Sequence, residues 1–305
     1  MCNKQLVTVI MSTYNETLPQ VRESVESILK QSYRNIEFLI VIDNPDNEQV
    51  KNYLYSIEDN RVKIICNERN IGLVNSLNKA LKQVNGSLIA RMDADDISTE
   101  YRIENQVAYI EKNKIDMVGT FVQLIDETGN VTKEVMKFPV KFSHICFFQR
   151  WGSCLCHPTW MVRKEVYDEL NGYRDVPSCE DYDFIIRAIE NEFCLGNVPI
   201  IGLKYRGRAT GISKSNAIKQ YILREYLSRA YQGKRKLSQD DIYTYLESNA
   251  YKRDINIENK YRESKYAMKN MKNQKAVKNF FCLLFKRCFW RDITEKAFLI
   301  IRENF

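Results

Sequence analysis

Beyond Pro199 the chain has no proline, and beyond residue 214 it keeps a single glycine, Gly233, so little in its last third interrupts a helix. No run of about 18 apolar residues occurs, which excludes a convincing membrane-spanning helix. The nine cysteines form no CxxC pair and no secretory leader precedes them, so reduced thiols and a cytoplasmic location are expected. Cys154, Cys156 and His157 carry metal-ligand chemistry, but three ligands within four residues of extended chain cannot converge tetrahedrally without a distant partner. Core cysteines are the expectation. No Gly-x-Gly-x-x-Gly follows the first apolar run, where Ser12-Thr13-Tyr14-Asn15 stands instead. That excludes a dinucleotide dehydrogenase and speaks against a sugar nucleotidyltransferase, which needs a glycine-rich phosphate loop with a basic residue at this place.

What is present is enough for a full core: 305 residues, 44% of them hydrophobic, suit one large domain plus an appendage. The net charge of +7 is uneven, with 25 Lys and Arg against 29 Asp and Glu in residues 1–213, and 21 against 10 in residues 214–305. A domain over 1–213 and a basic, mostly helical extension over 214–305 are expected. Near the end, Lys275, Lys278, Lys286, Arg287 and Arg291 interleave with Phe280, Phe281, Leu284, Phe285, Phe289 and Trp290. That pattern suits the headgroup region of a membrane and, equally, a lid on the domain or a contact with a second copy of the chain. Its cations carry no recognised nucleic-acid motif, so no nucleic-acid partner is expected.

The first half alternates short apolar runs with amphipathic stretches, the pattern of an α/β sandwich on a mostly parallel sheet. Strands are predicted at Leu6–Met11, Ile36–Ile42, Val62–Ile65 and Leu88–Met92, with helices at Leu18–Gln31 and Leu73–Val84. Polar clusters follow the strands, and open α/β sheets bind ligands outside the carboxyl ends of their strands. Thr13, Tyr14, Asn15, Asp43 and Asp93 are therefore expected around one cleft. Beyond residue 115 the spacing predicts a strand at Met117–Ile125 turning at Asp126–Asn130, helices over about 163–170 and 181–192, and a strand at Leu195–Ile201.

Two acidic motifs carry the chemistry. Asp93-Ala94-Asp95-Asp96 directly follows a buried strand, and three carboxylates so close repel one another unless a divalent ion on a diphosphate compensates them. A solvated turn capping the next helix is the alternative for Asp96 and Ser98. Ser178-Cys179-Glu180-Asp181 precedes a predicted helix; its acids suit a general base, or simply favour the helix dipole.

Val9-Ile10-Met11-Ser12-Thr13-Tyr14-Asn15, the acidic stop Asp43, Asn70-Ile71-Gly72, the Asp93-Ala94-Asp95 motif and Glu180-Asp181 together resemble the inverting family 2 glycosyltransferases of GT-A fold, over about residues 6–213. The resemblance implies a GT-A domain of α/β class with a helical C-terminal extension. It implies transfer from a nucleoside diphosphate sugar, UDP-linked, to a growing glycan, undecaprenyl-linked in surface polysaccharide synthesis at the inner face of the cell membrane. It implies Thr13, Tyr14, Asn15, Asp43, Arg91, Asp93 and Asp95 at the donor nucleotide, with Asp95 holding Mn2+ or Mg2+, Asp181 as the base and Glu180 beside it. Cys156-His157-Pro158-Thr159 and Gly172-Tyr173 are similar to the family's acceptor region, where Trp151 and His157 are weaker candidates. Many family members place a metal-binding histidine after a Tyr-Arg pair; here Tyr205-Arg206-Gly207-Arg208 has none, and Arg208 is the candidate for meeting the diphosphate directly. A non-catalytic scaffold is the remaining alternative, one with no reason to keep Asp93, Asp95 and Asp181.

Overall fold

The computed structural model describes residues 5–207 and 216–269. Four strands, β1 (Val7–Thr13), β2 (Ile36–Ile42), β3 (Val62–Cys66) and β4 (Leu88–Asp93), pair in parallel in the order β3-β2-β1-β4. The register sets Thr13 opposite Ile42, Ile42 opposite Cys66 and Ser12 opposite Asp93, so the carboxyl ends finish level. All seven residues of β2 are buried, as a strand covered by helices on both faces must be. Alternate residues feed two cores. Val9, Met11, Phe38 and Ile40 face α1 (Leu18–Leu29) and α4 (Arg102–Asn113), while Ile10, Leu39, Val41 and Ile89 face Leu77 of α3 (Leu73–Leu81) and the Trp160 and Phe184 side.

Beyond β4 the sheet becomes mixed. A short β5 (Ile97–Ser98) pairs antiparallel with β9 (Leu195–Arg206); β6 (Met117–Ile125) runs parallel to β9 and antiparallel to the hairpin strand β7 (Val131–Met136); β8 (Met161–Arg163) bridges β4 and β6. Helices α2 (Glu48–Tyr55), α5 (Phe142–Phe148), α6 (Lys164–Glu169) and α7 (Glu180–Glu190) complete this part. The final predicted strand is longer than its apolar run: β9 continues to Arg206 past a register shift opposite Thr120–Val122, which brings Tyr205 and Arg206 to the end of β4.

Three helices follow, α8 (Ala217–Gln232), α9 (Gln239–Glu247) and α10 (Asn249–Lys269). Leu223 and Leu227 of α8 and Ile242 of α9 bury themselves against Val176, Cys179, Tyr182 and Ile186, so the helices pack on α7 and the loop before it. Among the described residues no helix is long and apolar enough to cross a membrane. The basic aromatic stretch 275–291 and Arg208 lie outside the described residues.

Candidate active site

The level strand ends make a crevice where the order reverses between β1 and β4. At its centre Asp93, Asp95 and Asp96 bring one carboxylate oxygen each within 4.8 Å of one another. Backbone contacts hold this turn: Ser24 of α1 donates to the Asp93 carbonyl at 2.8 Å, and the buried Arg206 does the rest. Its backbone N–H donates to Asp96 Oδ1 (2.8 Å), its Nε to the Asp95 carbonyl (2.8 Å), Nη1 to the Glu127 carbonyl (3.0 Å) and Nη2 to Glu23 Oε2 (2.7 Å). One guanidinium thus ties the acidic turn to α1 and to the β6–β7 hairpin.

Asp96 is no solvated cap. It is buried, and burial followed by the charges of Asp93 and Asp95 pushes its carboxyl well above the usual range. Its Oδ2 has no hydrogen-bond partner among the described residues. Arg91, also buried, pairs through Nη2 with Asp93 Oδ1 at 2.5 Å, while Nε and Nη1 have no partner among the described residues. Burial alone would draw the guanidinium down, but Asp93 more than offsets it and holds Arg91 charged.

The β1 loop is ordered by Glu16, whose Oε2 accepts from Thr13 Oγ1 (2.9 Å) and the Tyr14 N–H (2.7 Å), leaving the Tyr14 ring 41% exposed. Asn15 Oδ1 accepts from Asn44 Nδ2 at 3.2 Å. Asp43 is buried and accepts from Asn67 Nδ2 (2.8 Å), the Ile71 N–H (2.9 Å) and the Gly72 N–H (3.0 Å). Its visible work is to shape the Asn70-Ile71-Gly72 turn, in which Gly72 takes φ +84°, a conformation that favours glycine.

The second pair of acids opens α7. Burial and the neighbouring Asp181 charge push the Glu180 carboxyl up to about 7. Burial also raises Asp181, against the Tyr182 N–H, which donates to Asp181 Oδ1 at 2.7 Å, and against the charges of Arg91 and Arg224. The fields of the two acidic groups meet. Burial lifts the Cys156 thiol well above its usual range, and Asp96, Asp93 and Asp181 all add to the shift, while Arg91 lowers both Glu180 and Asp181.

His157 sits deeper than an acceptor residue at the surface would. It is 8% exposed, its Nε2 is 2.9 Å from the Tyr173 hydroxyl, its ring packs on Trp160, and burial holds it neutral. Trp151 lies in an aromatic group with Phe147 (centroids 4.9 Å apart) under the Arg150 guanidinium, and Phe147 is half exposed. Arg206 is the residue that sequence reasoning passed over, while Asp96, read there as one of three clustered carboxylates or as a cap, had no assigned place in the site. The Tyr205-Arg206 pair was a landmark for a following histidine, and the arginine itself proved to be the brace.

A divalent cation fits this donor set. The buried, unpartnered Asp96 Oδ2, the raised Asp96 carboxyl and three hard oxygen ligands on one turn suit Mg2+ or Mn2+ rather than a thiol- or imidazole-seeking metal.

The model of glycosyl transferase family 2 matches residues 8–170 of the chain. An uncharacterized glycosyltransferase of Methanocaldococcus jannaschii is 38% identical over 207 residues, 67% of this chain and 71% of the relative. The O-antigen biosynthesis glycosyltransferase WbnJ of Escherichia coli is 34% identical over 240 residues, 76% of this chain and 91% of the relative. Among solved structures, TarS of S. aureus (residues 1–349) in complex with UDP-GlcNAc superposes with a TM-score of 0.61 at 16% identity, over 91% of this chain and 79% of that one, a likeness of fold.

Proposed function

The chain belongs to glycosyl transferase family 2 and is a glycosyltransferase of GT-A fold, and on that premise we propose that it transfers a sugar from a UDP-linked donor to a hydroxyl of a growing glycan with inversion. The observation that carries this reading is the cluster of Asp93, Asp95 and Asp96 at the ends of the parallel strands, one carboxylate oxygen each within 4.8 Å, with Arg91 paired to Asp93.

In this reading Tyr14 offers its exposed face to the base, Thr13 and Asn15 line the same loop, and Asp43 keeps the 70–72 turn in place beside the nucleoside. Arg91, with two uncommitted nitrogens, serves the donor. Asp93, Asp95 and Asp96 would hold Mn2+ or Mg2+, which when bound offsets the charge of the diphosphate and of the departing nucleotide. Asp181 takes the proton of the acceptor hydroxyl as its oxygen bonds to the anomeric carbon and the bond from that carbon to the diphosphate breaks, releasing UDP. Glu180 shares the proton load, as two coupled carboxyls do. WbnJ is named for O-antigen biosynthesis, and a surface polysaccharide is the product class assigned here. The acceptor is assigned as lipid-linked, met at the inner membrane face through the basic extension after residue 214, which serves the catalytic domain of 1–213 as its membrane contact.

Turnover of a panel of nucleoside diphosphate sugars, with and without Mn2+ and lipid-linked acceptors, tests the reading. One UDP-sugar turned over by the wild type and by neither Asp95→Ala nor Asp181→Asn supports it. Retention of full turnover in Asp181→Asn removes the base, and turnover of GDP-sugars alone removes the donor assignment.

A further inference from the structure

The loop that delivers the α7 acids is held only in part by its own backbone, where the Cys179 N–H donates to the Val176 carbonyl at 3.0 Å. Ser178 sits at φ +59°, the left-handed region that non-glycine residues enter only under strain. It lies two residues before Glu180. Further support comes from 42 positions along the chain: Gln220 of α8 donates from Nε2 to the Ser178 carbonyl at 2.7 Å, and its own backbone carbonyl accepts from Cys179 Sγ at 3.3 Å. Gln220 is fixed in turn, because its N–H donates to the Asn216 carbonyl within the first turn of α8. One turn later Arg224, its guanidinium over the Tyr221 ring at 5.3 Å, brings a positive field to both Cys179 and Asp181. Leu223 and Leu227 close the contact against Cys179 and Tyr182, and the Tyr182 hydroxyl donates to the Gln149 carbonyl.

We propose that α8 is part of the active site and that Gln220 is a positioning residue, which fixes Ser178 and Cys179 so that Glu180 and Asp181 face the acceptor. The inference rests on Asp181 as the base. A side-chain amide on a carbonyl, within a loop in a sparsely populated conformation, controls direction more than stability. Removing it lets the acids swing without unfolding α7, whose body is held independently by the Arg174–Asp183–Arg187 ion pairs.

The test compares full-length Gln220→Met, Ser178→Gly, their double variant and Tyr243→Phe. The last removes another contact of the same helices, that of the Tyr243 hydroxyl with Asp175, away from the acids. Gln220→Met is expected to lower kcat about 10–100-fold, with UDP affinity and donor KM within twofold of the wild type, because misplacing a catalytic group acts on the chemical step. Ser178→Gly admits the left-handed conformation without strain and is expected to recover part of that kcat in the double variant. Tyr243→Phe is expected to leave kcat unchanged. Wild-type kcat in Gln220→Met overturns the proposal. So does a parallel loss of kcat and donor affinity that Ser178→Gly does not relieve, the signature of general loosening. Asp181→Asn, run alongside, separates the premise from the inference: if it keeps activity the base assignment fails, and if it is inactive while Gln220→Met is normal only the role of α8 fails.

Discussion

The two sets of acids are built in opposite ways. Asp93, Asp95 and Asp96 stand at the end of β4, which pairs in parallel with β1 along its whole length, with α1 and Arg206 bracing the turn, so the sheet itself delivers them. Glu180 and Asp181 stand at a helix start preceded by a left-handed residue, and their loop leans on a helix from the last third of the chain. In the proposed reading the donor side needs a rigid, charge-dense turn for the diphosphate. The acceptor side, in the same reading, needs aim, and the proposed source is an element that can vary without touching the sheet.

Breaking each set at its chemistry gives the largest effects. Asp181→Asn is expected to lower kcat by about 100- to 10,000-fold, the usual worth of a general base, measured as sugar transfer under saturating donor. The brace comes next. Arg206→Met strips Asp95, Glu127 and Glu23 of their donor and leaves a buried network part-satisfied, and is expected to destabilise the fold by about 2–4 kcal/mol. Thermal unfolding reads that loss, and a Mn2+ titration in the presence of UDP is expected to weaken in the same variant. If Mn2+ binding is untouched, Arg206 serves the fold alone.

The difference also explains what could be read in advance. The placement of Asp93–Asp95 and Asp43 at strand ends was legible because each follows a mostly aliphatic buried strand, with only Arg91 and Glu37 interrupting, so sequence neighbours are also neighbours in the crevice. The brace was not, because Pro199 and a register shift break the β9 pattern before Arg206. Helix α4 escaped because two of its core positions are Arg102 and Gln106, which donate to the Pro158 and Arg91 carbonyls and the Thr159 carbonyl respectively. Their polarity disguises a buried face. In α2 only Val50 and Leu54 face inward, too few for a periodic signal. The contact of Gln220 with Ser178 has no local trace at all, since it joins residues 42 positions apart.

Two smaller effects sharpen the contrast. The Glu180 carboxyl, raised to about 7 in the fold against an ordinary value near 4.5, binds its proton more tightly in the native than in the unfolded chain. Its stabilising contribution is therefore full below about pH 4.5 and lost as pH rises through about 7. Relative to Glu180→Gln, the wild type is expected to lose about 2–3 kcal/mol of stability between pH 5 and 8, at about 1.4 kcal/mol per unit of the shift, read as a fall of several degrees in Tm. A constant difference across that range argues that the carboxyl is not raised. On the donor side, Asp43→Asn weakens the charge-assisted bonds from the Ile71 and Gly72 N–H groups and is expected to cost about 1–2 kcal/mol, with a modest rise in donor KM and no change in kcat.

Calorimetric titration of UDP with Mn2+ into the wild type, Asp95→Ala and Asp181→Asn tests the division of labour most directly. The account predicts that Asp181→Asn binds as tightly as the wild type while Asp95→Ala loses at least tenfold in affinity. Equal binding in all three, or loss in Asp181→Asn with Asp95→Ala unaffected, contradicts it.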